Sequence, residues 1–390
     1  MRRDVKGSAA VIAVAGSLVL ALAGCSSPAG SNKSGGSGGA ASGSAGMASG
    51  GDAGTAGSAM GGAGGSMAGG GSGGAAGSSG SAGSAGSGGC QNFDLELGET
   101  DAQGVTLLYE EMSVRFLTGL GFVGEHLYLI GGGTADIADL RLIRISLTDD
   151  VVEELDEFPS TTTILVGDDL IWHEGDVQNS TMGELKTAKI ASVAQSTVLA
   201  TTRSMETVAA DAQNVYFYGY SPDEVYRVPR SGGPAELLYE GARTEGALVP
   251  AGDQLYFFDV DANSLMRIPA IGGTAEPLLD DISAPGSAIA SSEGLFWSET
   301  GRREIRYFPF DGTASTLIVG DLEDSAAHLV LNGDELLWET GTFCNEISRL
   351  DAAGTAAESI ASGFDLTTWM GVHQGRLYVT DQQHAYRLDL

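Results

Sequence analysis

The side chains best suited to chemistry recur at one place in this sequence. Glu174, Asp259, Glu299 and Asp381 each close a short apolar strand, and Glu339 stands one residue early in its own copy. Carboxylates gathered at one end of a fold can ligate a metal or exchange protons, and with a histidine beside them they can run lyase or hydrolase chemistry. The histidines are His126, His173, His328, His373 and His384, with no HxxxH or HExxH spacing, so a zinc centre lacks its usual pattern. His173-Glu174 and His384 are expected in loops of one face, where a lactonase or lyase would draw on them. Asp259-Val260-Asp261-Ala262-Asn263 opens like a calcium loop. Ser264 then stands where that loop needs glycine and Ala270 where it needs glutamate. No GxSxG elbow occurs. The acids are expected to be structural, so no cofactor, metal ligand or catalytic residue is assigned; calcium is the nearest approach to one. Tyr218, Tyr220, Phe258, Trp338 and Trp369 are expected mainly in sheet packing, with Tyr218 and Tyr220 foremost among those placed to grip a peptide or glycan.

The elements that carry these residues form a repeat. An apolar-aromatic triplet occurs seven times, beginning at Leu127, Leu170, Val215, Leu255, Leu295, Leu336 and Leu377. The intervals are 43, 45, 40, 40, 41 and 41 residues. A small turn such as Gly252-Asp253 or Gly333-Asp334 precedes the triplet. A strand with a basic residue follows it, around Arg144, Lys189, Arg227, Arg267, Arg306, Arg349 and Arg387. Third and fourth strands complete each copy, as in Glu236-Leu237-Leu238-Tyr239 and Gly246-Ala247-Leu248-Val249. Four short strands per forty residues predict a propeller blade, and no amphipathic helical period interrupts them. The basic residues are expected to pair with the strand-ending acids on the blade surfaces.

The fold class is therefore all-β, a seven-bladed β-propeller over residues 90–390. The last copy stops at Leu390 after three strands, and Gly104-Val105-Thr106-Leu107-Leu108-Tyr109-Glu110 resembles Pro234-Ala235-Glu236-Leu237-Leu238-Tyr239-Glu240. The N-terminal segment is thus expected to supply the missing outer strand, which removes an exposed edge. Leu295-Phe296-Trp297-Ser298-Glu299, then Ile305-Arg306 and Asp311-Gly312-Thr313, resembles the YWTD repeat of low-density-lipoprotein-receptor-type propellers, and Leu255–Asp259 and Leu377–Asp381 match more loosely. The resemblance covers about 265 residues, from Gly124 to the end. It implies a propeller in which the matching acid holds the blade together. Those receptor propellers have six blades where seven copies are counted here, and the resemblance implies no particular ligand.

Before the repeat lie two segments of different character. Arg2, Arg3 and Lys6 precede a 17-residue apolar run, residues 8–24, too short and too rich in Gly and Ser for a spanning helix. Its end, Leu22-Ala23-Gly24-Cys25, resembles the lipobox of bacterial lipoproteins. That resemblance implies a signal peptide over 1–24, lipidation of Cys25, and a chain anchored in the bacterial envelope. Ser26 rather than Asp after the cysteine implies the outer membrane. Residues 26–89 hold Gly, Ser and Ala with three methionines, Met47, Met60 and Met67, and no aromatic residue. Such a chain cannot bury enough apolar area to offset its entropy, so 25–89 is expected to be a disordered, lipidated tether with a span of about 45 Å.

Charge narrows the partners. Residues 91–390 contain 49 Asp and Glu against 16 Lys and Arg, two of them lysines, Lys186 and Lys189. A surface this acidic repels phosphate backbones, so nucleic acid is excluded as a partner. Past Cys25 the remaining cysteines are Cys90 and Cys344; in an exported protein they are expected to form a disulfide that pins the tether to the neighbouring last blade. The expected role is binding or scaffolding toward an envelope protein, peptide or glycan; the alternative is a hydrolase or lyase with a polar site at the central mouth.

Overall fold

In the computed structural model, the described residues are those of 93–390 apart from 94, 111–115, 133–139, 159, 161, 176–181, 203–204, 220–223, 241–246, 342–343, 351–353 and 355. Cys25, the signal peptide, the tether, Cys90 and Tyr220 lie outside them. Twenty-eight strands among the described residues make seven four-stranded antiparallel sheets. Each of the first six sheets takes its strands in chain order. Blade 1 is Phe116–Val123, His126–Gly132, Leu140–Ser146 and Val152–Glu157; blades 2, 3, 4 and 5 take their strands from residues 163–202, 205–240, 249–279 and 285–319; blade 6 is Ala326–Asn332, Glu335–Thr340, Asn345–Leu350 and Ala357–Phe364. The first strand of every sheet meets the first strand of the next, and that of blade 7, Trp369–His373, meets that of blade 1. The ring is closed.

Sequence explains the order within a blade. The second strands carry the recurring triplet, and both of their faces are buried because each sheet is covered by a neighbour on either side: Leu127-Tyr128-Leu129, Val215-Tyr216-Phe217 and Leu255-Tyr256-Phe257 all lie in the core. The first strands crowd the axis, where Gly119, Ala209, Ala288 and Gly371 leave room. A Cβ on Gly119 would lie 2.1 Å from the Trp369 ring, and one on Gly371 would lie 2.3 Å from the same ring. The Trp369 ring thus lies on bare backbone at Gly371 in its own strand and at Gly119 across the seam between blades 7 and 1. Outer strands face solvent with charge, as in Val152–Glu157. Every blade also has a register shift where its third strand meets its outer strand. An extra residue there increases local twist, which a propeller blade needs. The longest repeat interval has its own cause: a 3-10 turn, Ile190–Gln195, sits inside blade 2 and buries Ile190 and Val193.

Blade 7 is closed by the N-terminus as expected. Val105–Glu110 pairs antiparallel with His384–Asp389 as its outermost strand. Val105, Leu107 and Leu108 are at most 3% exposed. Threonines seal the same seam at its inner end. Thr368 Oγ1 donates to the Leu117 carbonyl at 2.5 Å, and the Gly119 amide donates to Thr380 Oγ1 at 3.3 Å. Three buried aliphatic side chains at roughly 1.5–3 kcal/mol each approach the roughly 5–15 kcal/mol that holds a typical domain. Deleting residues 91–112 is therefore expected to abolish the cooperative melting transition in calorimetry or lower it by tens of degrees. An unchanged transition would show that the N-terminal strand does not close the ring.

Candidate functional site

The strand-ending acids are placed by the second strand of each blade, where the chain turns into the third. Asp259 is buried at the end of Gln254–Asp259, and its Oδ1 accepts the Asp261 and Ala262 amides at 3.1 and 3.0 Å while Oδ2 accepts the Tyr239 hydroxyl. Those first residues of the calcium-like stretch form a turn that the acid itself caps. Glu299, 1% exposed, accepts the Ser283 amide at 3.2 Å and the Trp297 indole N–H at 3.2 Å, and it pairs with Arg302 and Arg306. Asp381 accepts the Gln383 and His384 amides at 2.8 and 2.7 Å and the Tyr386 hydroxyl at 3.2 Å. In two blades the acid therefore binds the amides of its own turn, and Glu299 reaches its turn through the Arg302 side chain. Glu174 differs: it is exposed and pairs with Lys186 at 2.7 Å, which holds the lysine above its ordinary value.

The basic residues correct one expectation. Arg144, Arg227, Arg267 and Arg349 reach not the strand-ending acids but Glu153, Glu236, Glu276 and Glu358, nine residues on, in the adjoining outer strand. Lys189 pairs with Asp168 and Asp169. Arg387 crosses the closing seam to Asp150 of blade 1 at 2.9 Å. Only Arg306 reaches such an acid, Glu299, because its register in blade 5 is opposite Trp297 rather than Phe296, which turns it to the other face.

The histidines are not brought together as one mouth. His173 lies inside the second strand of blade 2 rather than in a loop, and His384 begins the third strand of blade 7, with blade 1 between. His173 is buried against Gly183 and Gly175, where a Cβ on Gly183 would lie 2.3 Å from Nε2; burial holds its pKa below the ordinary value. His384 contacts both Asp381 oxygens, and that hydrogen bonding raises it. His373 stacks on Phe122 at 4.8 Å. Tyr218, foremost among the expected ligand-gripping aromatics, is 1% exposed and belongs to the core, as do Phe258, Trp338 and Trp369. Its position in the second strand of a blade covered on both faces leaves it no solvent. Among the described residues, no three His, Cys, Asp or Glu side chains converge as a metal-ligating group.

One polar cluster stands apart, at the inner end of the seam between blades 6 and 7. His328 lies in the innermost strand of blade 6, at a register shift, with a φ of 47°. It is densely surrounded by protein, yet about a quarter of its side chain, 26%, meets solvent, as fits a residue of the strand nearest the axis. Its Nε2 lies 3.1 Å from the Thr367 carbonyl and 3.7 Å from Glu339 Oε2. Asn345 Nδ2 donates to Glu339 Oε1, and at 3.4 Å to Thr367 Oγ1. Burial pushes the Glu339 carboxyl up to about 8, against the pull of hydrogen bonds from Thr367 and Asn345, and pushes His328 down to about 4. Burial thus favours the neutral form of each group. The sequence shows Glu339 one position early without marking a site there; that offset, a histidine in the inner strand of the same blade and the Thr367-Thr368 doublet were the available signals. Cys344 directly precedes the third strand of blade 6 and is partnered, while Cys90 lies outside the described residues.

With this geometry, the chain is a seven-bladed β-propeller. Solved structures bear out the fold at low identity. A Mycobacterium tuberculosis puromycin-hydrolysing peptidase aligns with a TM-score of 0.55 and 11% identity, over 76% of this chain and 54% of that one. An oligogalacturonate lyase in complex with manganese aligns at 0.53 and 11%, over 75% and 95%. A putative 6-phosphogluconolactonase from Bacteroides uniformis aligns at 0.53 and 12%, over 66% and 90%. No protein-family model and no curated protein matches the chain. These likenesses establish the architecture alone, since unrelated functions share it.

The Glu339 environment gives a signed pH dependence. A folded-state pKa raised from 4.5 to about 8 means that the fold prefers the protonated acid. Stability from this group is full below about pH 4.5 and falls as pH rises toward 8. Glu339→Gln, measured by thermal melts in chelator, is expected to raise the melting temperature relative to the parent at pH 9. The gain should shrink to nothing by about pH 4.5. A pH-independent difference would contradict the neutral, buried carboxyl.

Proposed function

We propose that the chain is a lipid-anchored protein of the bacterial cell envelope whose propeller serves as a binding or scaffolding module, related in kind to the YWTD-type propellers. The observation that carries the binding reading is the use made of the strand-ending acids. Asp259 and Asp381 are consumed in holding their own turns, and Glu299 in binding the Ser283 amide, the Trp297 indole and Arg302. That is the blade-holding role implied by the YWTD resemblance, and it leaves His173 and His384 in separate blades without a shared acid. The partner is an envelope protein, peptide or glycan presented with cationic or polar groups, since the propeller carries a large excess of acids. In this reading residues 1–24 are the signal peptide, Cys25 carries the lipid, residues 25–89 form the tether that lets the propeller of residues 90–390 reorient above an outer membrane, and Cys90 bridges Cys344.

The runner-up is a hydrolase or lyase, and one observation favours it: His328 and Glu339 meet near the axis. Against it, the His328 Nε2 proton is already given to the Thr367 carbonyl.

Fractionation of a diderm bacterium expressing the full chain tests the anchor. The parent is expected in the outer-membrane fraction with a lipid-modified Cys25, and Cys25→Ser is expected in the soluble fraction. A Cys25→Ser protein that stays membrane-bound would remove the anchor from this reading. Thiol labelling of the exported, folded chain is expected to find neither Cys90 nor Cys344 free; two reactive thiols would reject the bridge. For the binding role, crosslinking in intact envelopes is expected to give a specific partner adduct that Cys25→Ser loses.

A further inference from the structure

At the inner end of the blade 6–7 seam, oxygen acceptors outnumber donors. Glu339 and Asn345 are 3% and 2% exposed. The Asn345 amide N–H groups serve Glu339 Oε1 and Thr367 Oγ1, and the His328 Nε2 proton serves the Thr367 carbonyl. Glu339 Oε2 and Asn345 Oδ1 are left as buried acceptors without a hydrogen-bond partner. An unsatisfied buried polar atom is costly, so such an atom calls for a reason.

The neighbouring blades show that the arrangement is particular to blade 6. In blade 5, Glu299 shares a face with Trp297 two residues before it, and the indole N–H donates to Glu299 Oε1. In blade 6 the acid comes one residue sooner. A strand alternates its faces, so Glu339 turns to the face opposite Trp338. Trp338 Nε1 has no partner, and neither has Trp172 Nε1 in blade 2, where Glu174 keeps the usual place. No arginine takes the place that Arg302 and Arg306 hold around Glu299; an asparagine does, and it presents a second bare oxygen. The one-residue offset turns the acid away from the face that Trp338 occupies and leaves two unpartnered oxygen atoms near Thr367.

We propose that this seam is a binding site for a hard divalent cation of the calcium type, ligated by Glu339 Oε2 and Asn345 Oδ1, with the Thr367 oxygens beside them. Such a cation is satisfied by oxygen atoms alone, and carboxylate, side-chain amide and carbonyl oxygens are the ligands it takes. His328 is a positioning residue: its Nε2–H group fixes the Thr367 carbonyl rather than meeting the ion. One carboxylate, which must give up its proton to the ion, places the affinity at the weak end, on the order of 10⁻⁴–10⁻³ M. The acidic propeller raises the local concentration of cations. This inference does not depend on the envelope anchor or on the nature of the partner.

The test uses the full chain, stripped with chelator and dialysed. Millimolar calcium is expected to raise the melting temperature of the parent, and terbium is expected to give luminescence excited through tryptophan, Trp338 being the neighbour. Glu339→Gln, close in shape, is expected to lose both responses. Asn345→Asp, which adds ligand charge, is expected to melt lower than the parent in chelator and to bind calcium several-fold more tightly, a gain that a purely structural asparagine would not produce. Glu276→Gln, on the outer edge of blade 4, is expected to respond as the parent does. A parent insensitive to calcium, or a Glu339→Gln protein that responds like the parent, overturns the proposal and leaves water or a proton to satisfy these oxygens.

Discussion

Everything in this molecule depends on sheets that are buried on both faces. A four-stranded blade with Leu255-Tyr256-Phe257 at its centre has apolar side chains above and below, and alone it would expose both. Each blade is stable only because two others cover it, so the ring has to close before any blade gains its full burial. Closure is concentrated at one seam. The outer strand of blade 7 comes from Val105–Glu110, its inner end is tied to blade 1 by Thr368 and Thr380, and Trp369 lies on the bare backbone of Gly119 and Gly371.

The same constraint explains where polar groups go. The loops at the end of the second strands need their amides satisfied, and an acid at the strand end does that from within, as Asp259 and Asp381 do. Outer strands have no covering neighbour, so they carry the glutamates that meet the recurring arginines across one strand pair. Such exposed pairs contribute little to stability, typically under about 1 kcal/mol each. Their regular spacing of nine residues reports blade geometry more than binding energy.

Blade 6 departs from its siblings in a way that follows from one residue of register. The offset of Glu339 separates an acid from its tryptophan and brings it to His328, Asn345 and Thr367, where burial favours the neutral form of both ionisable groups. Places where a repeat breaks its own rule without an internal gain are the places to expect function. That break was visible as a count, but its consequence required knowing which face the residue takes and what lies across the seam.

Much of the architecture was legible in the chain because a repeat writes the same physics seven times: the triplets gave the second strands, the turns gave the hairpins, and the likeness of residues 104–110 to 234–240 gave the closing strand. The candidate site was not legible to the same degree. Tyr218 looked available because a tyrosine near a strand end often is, and two neighbouring blades bury it. Arg144 and its counterparts appeared to belong to the strand-ending acids, and the register shift beside the outer strand sends them to Glu153, Glu236, Glu276 and Glu358 instead. The sequence by itself determined the number of blades, their strand order, the acidic balance and the lipobox-like end at Cys25, since each is a property of residues near one another in the chain. Only the tertiary structure decided which polar atoms find partners, because His328, Glu339, Asn345 and Thr367 meet through strand register and the packing of one blade against the next, and neither is a property of local sequence.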